Sequence, residues 1–285
     1  MLRLDVYQAR ERPATPLPAI VAIHGGAWLH GPRAQQWWYL REFARRGYVV
    51  FTVDYRKLPR YRFPACLHDV KSAVRWMRLH ADEYGIDPER IYAFGASAGG
   101  HLSAFLATSA PEDGFEGTEN PGASSAVNAA ISLYGAVDLT MYDEPPEPGG
   151  VNGMWRWYVW QFVKDAGREW GQEPFEFASP AAYGRPYSKP LLFVHGKEDS
   201  IVHYRQSEAA HERLSALGVP TGLILFEHRG HAFDYVHWRE RKQIFACMLA
   251  FLEAQGGAPA GTMYSDAAKA LPEAVCPAPE GAARP

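Results

Sequence analysis

The chain has 285 residues, 47% of them apolar, 21% charged and with a formal net charge of −3. That length suits one large α/β domain or two small ones, with apolar residues enough for a sizeable core. Near-neutral charge without a basic run argues against a nucleic-acid partner, no apolar run approaches a membrane span, and the three scattered cysteines fit neither a disulfide framework nor a metal site.

Leu2 to Tyr7 alternates like a half-buried strand. Beyond a Pro-rich turn through Pro13, Pro16 and Pro18, Ala19 to Ile23 is a continuous apolar run, fit for a strand buried on both faces. It ends in the loop His24-Gly25-Gly26-Ala27-Trp28. Ala34 to Arg46 reads as a helix closed by Gly47, and Tyr48 to Val53 as the next buried strand, ending at Asp54-Tyr55-Arg56. Leu67, Val70, Val74, Met77, Ala81 and Tyr84 fall on one face of an amphipathic helix. A turn at Gly85-Ile86-Asp87-Pro88 leads into a strand from Arg90 to Phe94, and Ala98, Leu102, Phe105 and Leu106 repeat at helical spacing.

Residues 110–125 are loop by composition, and Val127 to Tyr134 is a strand ending at Gly135-Ala136-Val137-Asp138. Residues 139–180 break the alternation, with Pro145, Pro146, Pro148, Gly149 and Gly150, then the aromatic run Met154 to Phe162, then Trp170, Phe175 and Phe177. Regular order resumes with Pro190 to His195 (strand), Tyr204 to Leu217 (helix), Thr221 to Phe226 (strand) and His237 to Glu253 (helix). Residues 255–285 read as a flexible Ala/Gly/Pro-rich tail with one short helix near Ala267. Cys66 and Cys247 read as structural thiols and Cys276 as part of that tail. Short apolar strands separated by helices make the fold class α/β, a mostly parallel central sheet with helices on both faces. Residues 1–254 form the expected single domain, with 139–180 inserted into it.

The centre of this order is Gly95-Ala96-Ser97-Ala98-Gly99. A strand that reverses into a helix within a few residues crowds its own backbone. Flanking glycines relieve that crowding, and the serine at the apex is held up beside the free N–H groups of the helix start. A serine hydroxyl is a poor nucleophile unless a base lies within hydrogen-bond reach and a third group fixes that base. His231, after the last strand, and Asp199, after the strand before it, stand in the order Ser…Asp…His. Glu198 competes for the role of the acid, and His228 or His203 for that of the base.

These motifs together resemble the α/β-hydrolase superfamily, in the group of hormone-sensitive-lipase-like esterases and feruloyl/acetylxylan esterases. The resemblance runs from about Leu2 to Glu253. It rests on His24-Gly25-Gly26-Ala27-Trp28, Asp54-Tyr55-Arg56, the elbow Gly95 to Gly100, His195-Gly196-x-x-Asp199 and Gly230-His231-x-Phe233. It implies an oxyanion hole formed by the backbone N–H groups of Gly26, Ala27 and Ala98, and a triad of Ser97, Asp199 and His231. It also implies no cofactor and no metal. Ala27 departs from the pattern, standing where a third glycine is common, and narrows the pocket. His24 is expected to hold the loop.

The aromatic run reads either as a core helix or as a lid over Ser97. As a lid, it places Trp155, Trp157 and Trp160 beside Trp28 as substrate-binding residues. The expected activity is serine carboxylic-ester hydrolysis through an acyl-enzyme, with short-chain or aromatic (hydroxycinnamoyl, acetyl) esters preferred. Arylformamidase, prolyl-oligopeptidase-like peptidase and a non-catalytic hydrolase-fold binding protein are the alternatives. The expected partner is a small-molecule ester, with no nucleic acid and no membrane, in a monomer or homodimer. Met1 to Ala22 lacks the charged lead and long apolar core of a signal peptide, so the expected location is cytoplasmic.

Overall fold

The computed structural model describes residues 3–11, 13–142, 153–167 and 173–257. Seven strands form one sheet: β1 (Leu4–Tyr7), β2 (Leu17–Ile23), β3 (Val49–Val53), β4 (Ile86–Ala96), β5 (Ala130–Leu133), β6 (Leu191–Gly196) and β7 (Thr221–Phe226). Their order is β1-β3-β2-β4-β5-β6-β7, with β1 antiparallel to β3 and every other pair parallel. The parallel strands β2 and β3 are buried along their whole length. That is why they read as continuous apolar runs rather than as alternations.

Eight helices accompany the sheet among the described residues: α1 (Trp37–Arg45), α2 (Ala65–Leu79), α3 (Ala81–Tyr84), α4 (Ala98–Thr108), α5 (Gly153–Val163), α6 (Pro174–Phe177), α7 (Arg205–Ala216) and α8 (Trp238–Ala254). Alternate strand residues feed two separate cores. Val21, Phe51 and Ala93 meet Leu67 and Val70 of α2, Phe105 of α4 and Leu214 of α7. Ile20, Val50 and Phe94 meet Phe43 of α1 and Met248 of α8 on the other face. Cys66 and Cys247 are buried, one in each core, and neither forms a disulfide among the described residues. No helix among the described residues is long and apolar enough to cross a membrane.

Several expected boundaries move: β2 begins at Leu17 rather than Ala19, and β5 at Ala130 rather than Val127. The turn at Gly85–Pro88 lies mostly inside β4, which starts at Ile86. Leu17 pairs with Ile86 and Ala19 with Ile91, so the extra residues around Pro88 bulge out of the ladder. The single helix expected through Tyr84 breaks at His80 into α2 and α3. Helix α1 begins at Trp37, because Ala34 to Gln36 form a turn. Pro145, Pro146, Pro148, Gly149, Gly150, Trp170 and, in the tail, Ala267 and Cys276 lie outside the described residues.

Candidate active site

β4 ends at Ala96, α4 starts at Ala98, and Ser97 between them has φ 55° and ψ −121°. This backbone is rare for a residue with a side chain, and it lifts Oγ off the end of the sheet. The turn is tight enough that a Cβ on Gly95 would run into the Gly99 carbonyl, and one on Gly99 into that of Ile23. Both glycines are therefore fixed by packing. The Ser97 N–H donates to the Leu133 carbonyl at 2.8 Å, which pins the elbow to the neighbouring strand.

His231 sits on the loop between β7 and α8, its Nε2 3.0 Å from Ser97 Oγ. Its Nδ1 lies 2.6 Å from Asp199 Oδ2. A carboxylate only accepts, so Nδ1 carries the proton and Nε2 is left to accept from the serine. Asp199, after β6, is held at both oxygens. Oδ1 accepts from the N–H groups of Ile201 and Val202, each at 2.9 Å. Oδ2 accepts also from His195 Nε2 at 3.2 Å. Burial pushes the Asp199 carboxyl up, but the hydrogen bonds from His195 and His231 outweigh it and hold the group well below the usual carboxylate range. The competing residues lie elsewhere: Glu198 pairs with His228 at 2.9 Å on the surface, and His203 stacks on Tyr204.

The loop after β2 faces Ser97. Gly26, Ala27 and Trp28 have φ of 110°, 53° and 55°. The Gly25 N–H donates to Gln35 Oε1 at 2.7 Å. Those of Gly26, Ala27 and Ala98 make no hydrogen bond among the described residues, and all three residues line the cleft above Ser97. His24 is fully buried behind the loop, its Nδ1 donating to the Gly25 carbonyl at 2.7 Å and its ring stacked on Tyr55 at 4.4 Å. Tyr55 in turn donates its hydroxyl to the His24 carbonyl at 3.0 Å. A polarised hydroxyl thus faces several unsatisfied backbone donors across a cleft, the arrangement that acyl transfer needs.

A family model, BD-FAE, matches residues 4–214. The chain belongs to the BD-FAE family of α/β-hydrolase-type esterases. Among its relatives, esterase LipC of Mycobacterium tuberculosis is 32% identical over 233 residues, covering 81% of this chain and 57% of LipC. Esterase LipQ of the same organism is 30% identical over 275 residues, covering 95% of this chain and 63% of LipQ. The chain therefore spans about three fifths of the length of these two relatives. The butyrate-bound structure of Est2, an esterase from Thermogutta terrifontis, superposes with a TM-score of 0.74 at 29% identity over 92% of each chain.

In this BD-FAE member the cleft holds about 210 Å³ and its lining is mostly apolar, with Trp28, Tyr142, Trp155, Val159, Ile201 and Val202 among the lining residues. Gln35, Tyr134, His231 and Tyr235 line it as well. Of the four tryptophans expected at the substrate, only Trp28 and Trp155 border the cleft. Trp157 and Trp160 do not: they are 56% and 41% exposed on the outer face of α5. Residues three apart share a helix face, so Trp157 and Trp160 turn away together, while Trp155, Val159 and Phe162 turn inward.

Three residues with a structural claim on the site have no role that the sequence alone assigns. Gln35 was hidden inside an expected helix. His195 stands in the motif His195-Gly196-x-x-Asp199, four residues before its partner, but nothing in the sequence gives it a role toward Asp199. Tyr134, at φ 38°, lays its ring edge-on to His231 at 4.9 Å and donates its hydroxyl to buried Asp234 at 2.8 Å. The Asp234 spacing of three residues from His231 was the one available signal for that contact.

Proposed function

We propose that this chain hydrolyses carboxylic esters by way of Ser97, His231 and Asp199, and that its substrates carry short or flat aromatic acyl groups. The observation that carries this reading is the unbroken hydrogen-bonded chain from Ser97 Oγ to Asp199, opposite the N–H groups of Gly26, Ala27 and Ala98. Ser97 Oγ attacks the ester carbonyl carbon while its proton passes to His231 Nε2. The carbonyl oxygen becomes an oxyanion held by the three N–H groups. As it collapses, the C–O bond to the alcohol breaks and His231 returns the proton to the leaving oxygen. A water, deprotonated by His231, then attacks the acyl-Ser97 ester and releases the acid. Ionised Asp199 stabilises the imidazolium in both halves.

The short-acyl preference is supported by the small, mostly apolar cleft, which Trp155 and Val159 of α5 help to line. Est2, described in complex with butyrate, is a relative of matching fold. Residues 139–180, whose described members Tyr142, Trp155 and Val159 border the cleft, are read as an insertion within one hydrolase domain over residues 1–254. A panel of p-nitrophenyl acetate, butyrate and palmitate with methyl ferulate and N-formylkynurenine tests the reading. The expected ranking by kcat/KM puts acetate, butyrate or ferulate well above palmitate. Faster turnover of the formamide than of any ester would replace the proposal with an arylformamidase.

A further inference from the structure

Trp28 occupies an unusual place for the largest of side chains. It follows Ala27, and both residues lie in the left-handed region, at φ 55° and 53°. L residues rarely take up this conformation, and two in succession persist only where the surroundings over-determine them. The surroundings here are specific. The Trp28 indole is 4% exposed. One face stacks on Phe162 of α5, with centroids 4.1 Å apart and planes 9° from parallel. Its Nε1–H donates to His101 Nδ1 at 3.3 Å. His101 lies on α4, one turn beyond Ser97. It can accept at Nδ1 because its Nε2–H is given to the Ala178 carbonyl at 2.8 Å. The backbone of Trp28 is tied as well, its carbonyl accepting from the Leu58 N–H at 2.9 Å.

Phe162 is equally fixed. Its ring is 1% exposed, and its carbonyl accepts from the Phe63 N–H at 3.2 Å. The clamp therefore joins three parts of the chain: the loop after β2, the elbow helix α4 and the inserted helix α5. Released from it, Ala27 and Trp28 would relax toward negative φ. Rotation about φ of Ala27 turns the Gly26–Ala27 peptide, and with it the N–H that faces the cleft.

We propose that Phe162 and His101 are positioning residues that hold Trp28, and through it the strained 26–28 turn, so that α5 sets the aim of the oxyanion donors. Trp28 is then a buried strut, with only an edge in the cleft, rather than a substrate-binding residue. The proposal rests on the reading of Gly26 and Ala27 as oxyanion donors.

The test uses the full chain and two probes, phenylboronic acid and benzamide. Ser97 Oγ adds to boron as its proton passes to His231. The resulting tetrahedral anion places one B–O oxygen where the oxyanion would sit, whereas benzamide is neutral and planar. Wild-type enzyme is expected to bind the boronic acid far more tightly. Phe162→Leu keeps an apolar side chain, though a smaller one, and loses the flat ring face. It is expected to lower that preference and kcat for p-nitrophenyl acetate each by about tenfold or more, with KM within about twofold. Trp28→Phe keeps a stacked ring but lacks Nε1–H, and is expected to lose about threefold, which supplies the answer should Phe162→Leu fail to fold. A folded Phe162→Leu enzyme with the wild-type boronate preference and kcat overturns the clamp. A wild-type enzyme that does not prefer the boronic acid overturns the oxyanion reading itself, independently of any variant.

Discussion

The elbow from Gly95 to His101 and the helix α5 from Gly153 to Val163 are the two densest motifs in the chain, and they behave differently. At the elbow each residue is dictated by its own backbone surroundings. Gly95 and Gly99 have no room for a Cβ, and Ser97 is held at φ 55° by the turn they allow. Residue identity and position therefore coincide. In α5 nothing local separates Trp155, Trp157, Trp160 and Phe162, yet they end in three environments. Trp155 borders the cleft, Phe162 is buried against Trp28, and Trp157 and Trp160 face outward. Helical period separates them, and aromatic density does not. A motif defined by steric necessity names its residues one by one, while a motif defined by composition names only a region.

The largest effect should come from the elbow. Ser97→Ala removes the oxygen proposed to attack and no buried contact of note. Loss of a triad nucleophile typically lowers turnover by roughly 10⁶-fold. Steady-state hydrolysis of p-nitrophenyl acetate measures this, with circular dichroism to show that the fold is kept. A purified Ser97→Ala protein with near-normal turnover would falsify the assignment of the nucleophile.

The joint between the two regions should respond to pH. His101 sits edge-on to Phe162 of α5 and links α4 to the Ala178 carbonyl just after α6. Burial lowers its pKa from the ordinary 6.5 to about 4, the hydrogen bond to Ala178 offsetting only part of that shift. The unfolded chain takes up this proton near 6.5 and the folded chain only near 4, so between the two the unfolded state binds more protons. Stability is thus fully present above the higher value and declines as pH falls toward the lower. At ~1.4 kcal/mol per pH unit this amounts to something on the order of 3 kcal/mol. His24 and His68 shift the same way through burial, so they steepen the same limb. Urea denaturation at pH 7, 5.5 and 4.5 should show the decline in wild type and a shallower one in His101→Gln. Parallel slopes in the two proteins would mean that His101 does not stay neutral in the fold.

Much of the sheet was legible because its strands are parallel and buried on both faces, which leaves unbroken apolar runs between helices of regular period. The residues at strand ends, Ser97, Asp199 and His231, were legible because chain order and topology together restrict where such groups can meet. What hid was whatever depends on packing across long separations. Gln35 reaches back to the Gly25 N–H from a turn that reads as helix, and nothing in its neighbours marks it. Trp28 finds its partners 73 and 134 positions away, at His101 and Phe162, so neither its burial nor its strain could be read locally. The bulge at Pro88 escaped because a proline normally argues against a strand, and only the irregular pairing with β2 accommodates it.

A smaller effect is expected at His195, which sits on the strand side of Asp199. Its Nε2 faces both Asp199 Oδ2 and the Val202 carbonyl at 2.9 Å, so that nitrogen carries the proton. Nδ1 then accepts from the Ser207 hydroxyl at 2.8 Å. Being fully buried and committed to these partners, His195 is a strut for the acid and not a second base. His195→Ala is expected to lower kcat by roughly tenfold with KM little changed, since three donors to Asp199 remain. An unchanged kcat in the folded variant would show that the Ile201 and Val202 N–H groups suffice.

The smallest effects return to α5 and test whether period or density governs it. Trp155→Ala removes a large ring from the lining of the cleft. It should raise the ratio of hexanoate to acetate turnover by about tenfold, since one or more methylenes gain room in an apolar pocket. Trp157→Ala and Trp160→Ala should leave that ratio within about twofold, because both side chains stand on the outer face of the helix. Trp160 stacks on Phe175 at 5.9 Å, so its loss should lower the melting temperature slightly. Trp157, more than half exposed, should have less effect still, since exposed substitutions away from special features usually change stability by no more than about 0.5 kcal/mol. The three variants, measured side by side on the same two p-nitrophenyl esters, separate the inward row from the outward one. If Trp157→Ala moved the acyl ratio as far as Trp155→Ala, the outer face of α5 would have to reach the substrate, and the helix would need a second position over the cleft.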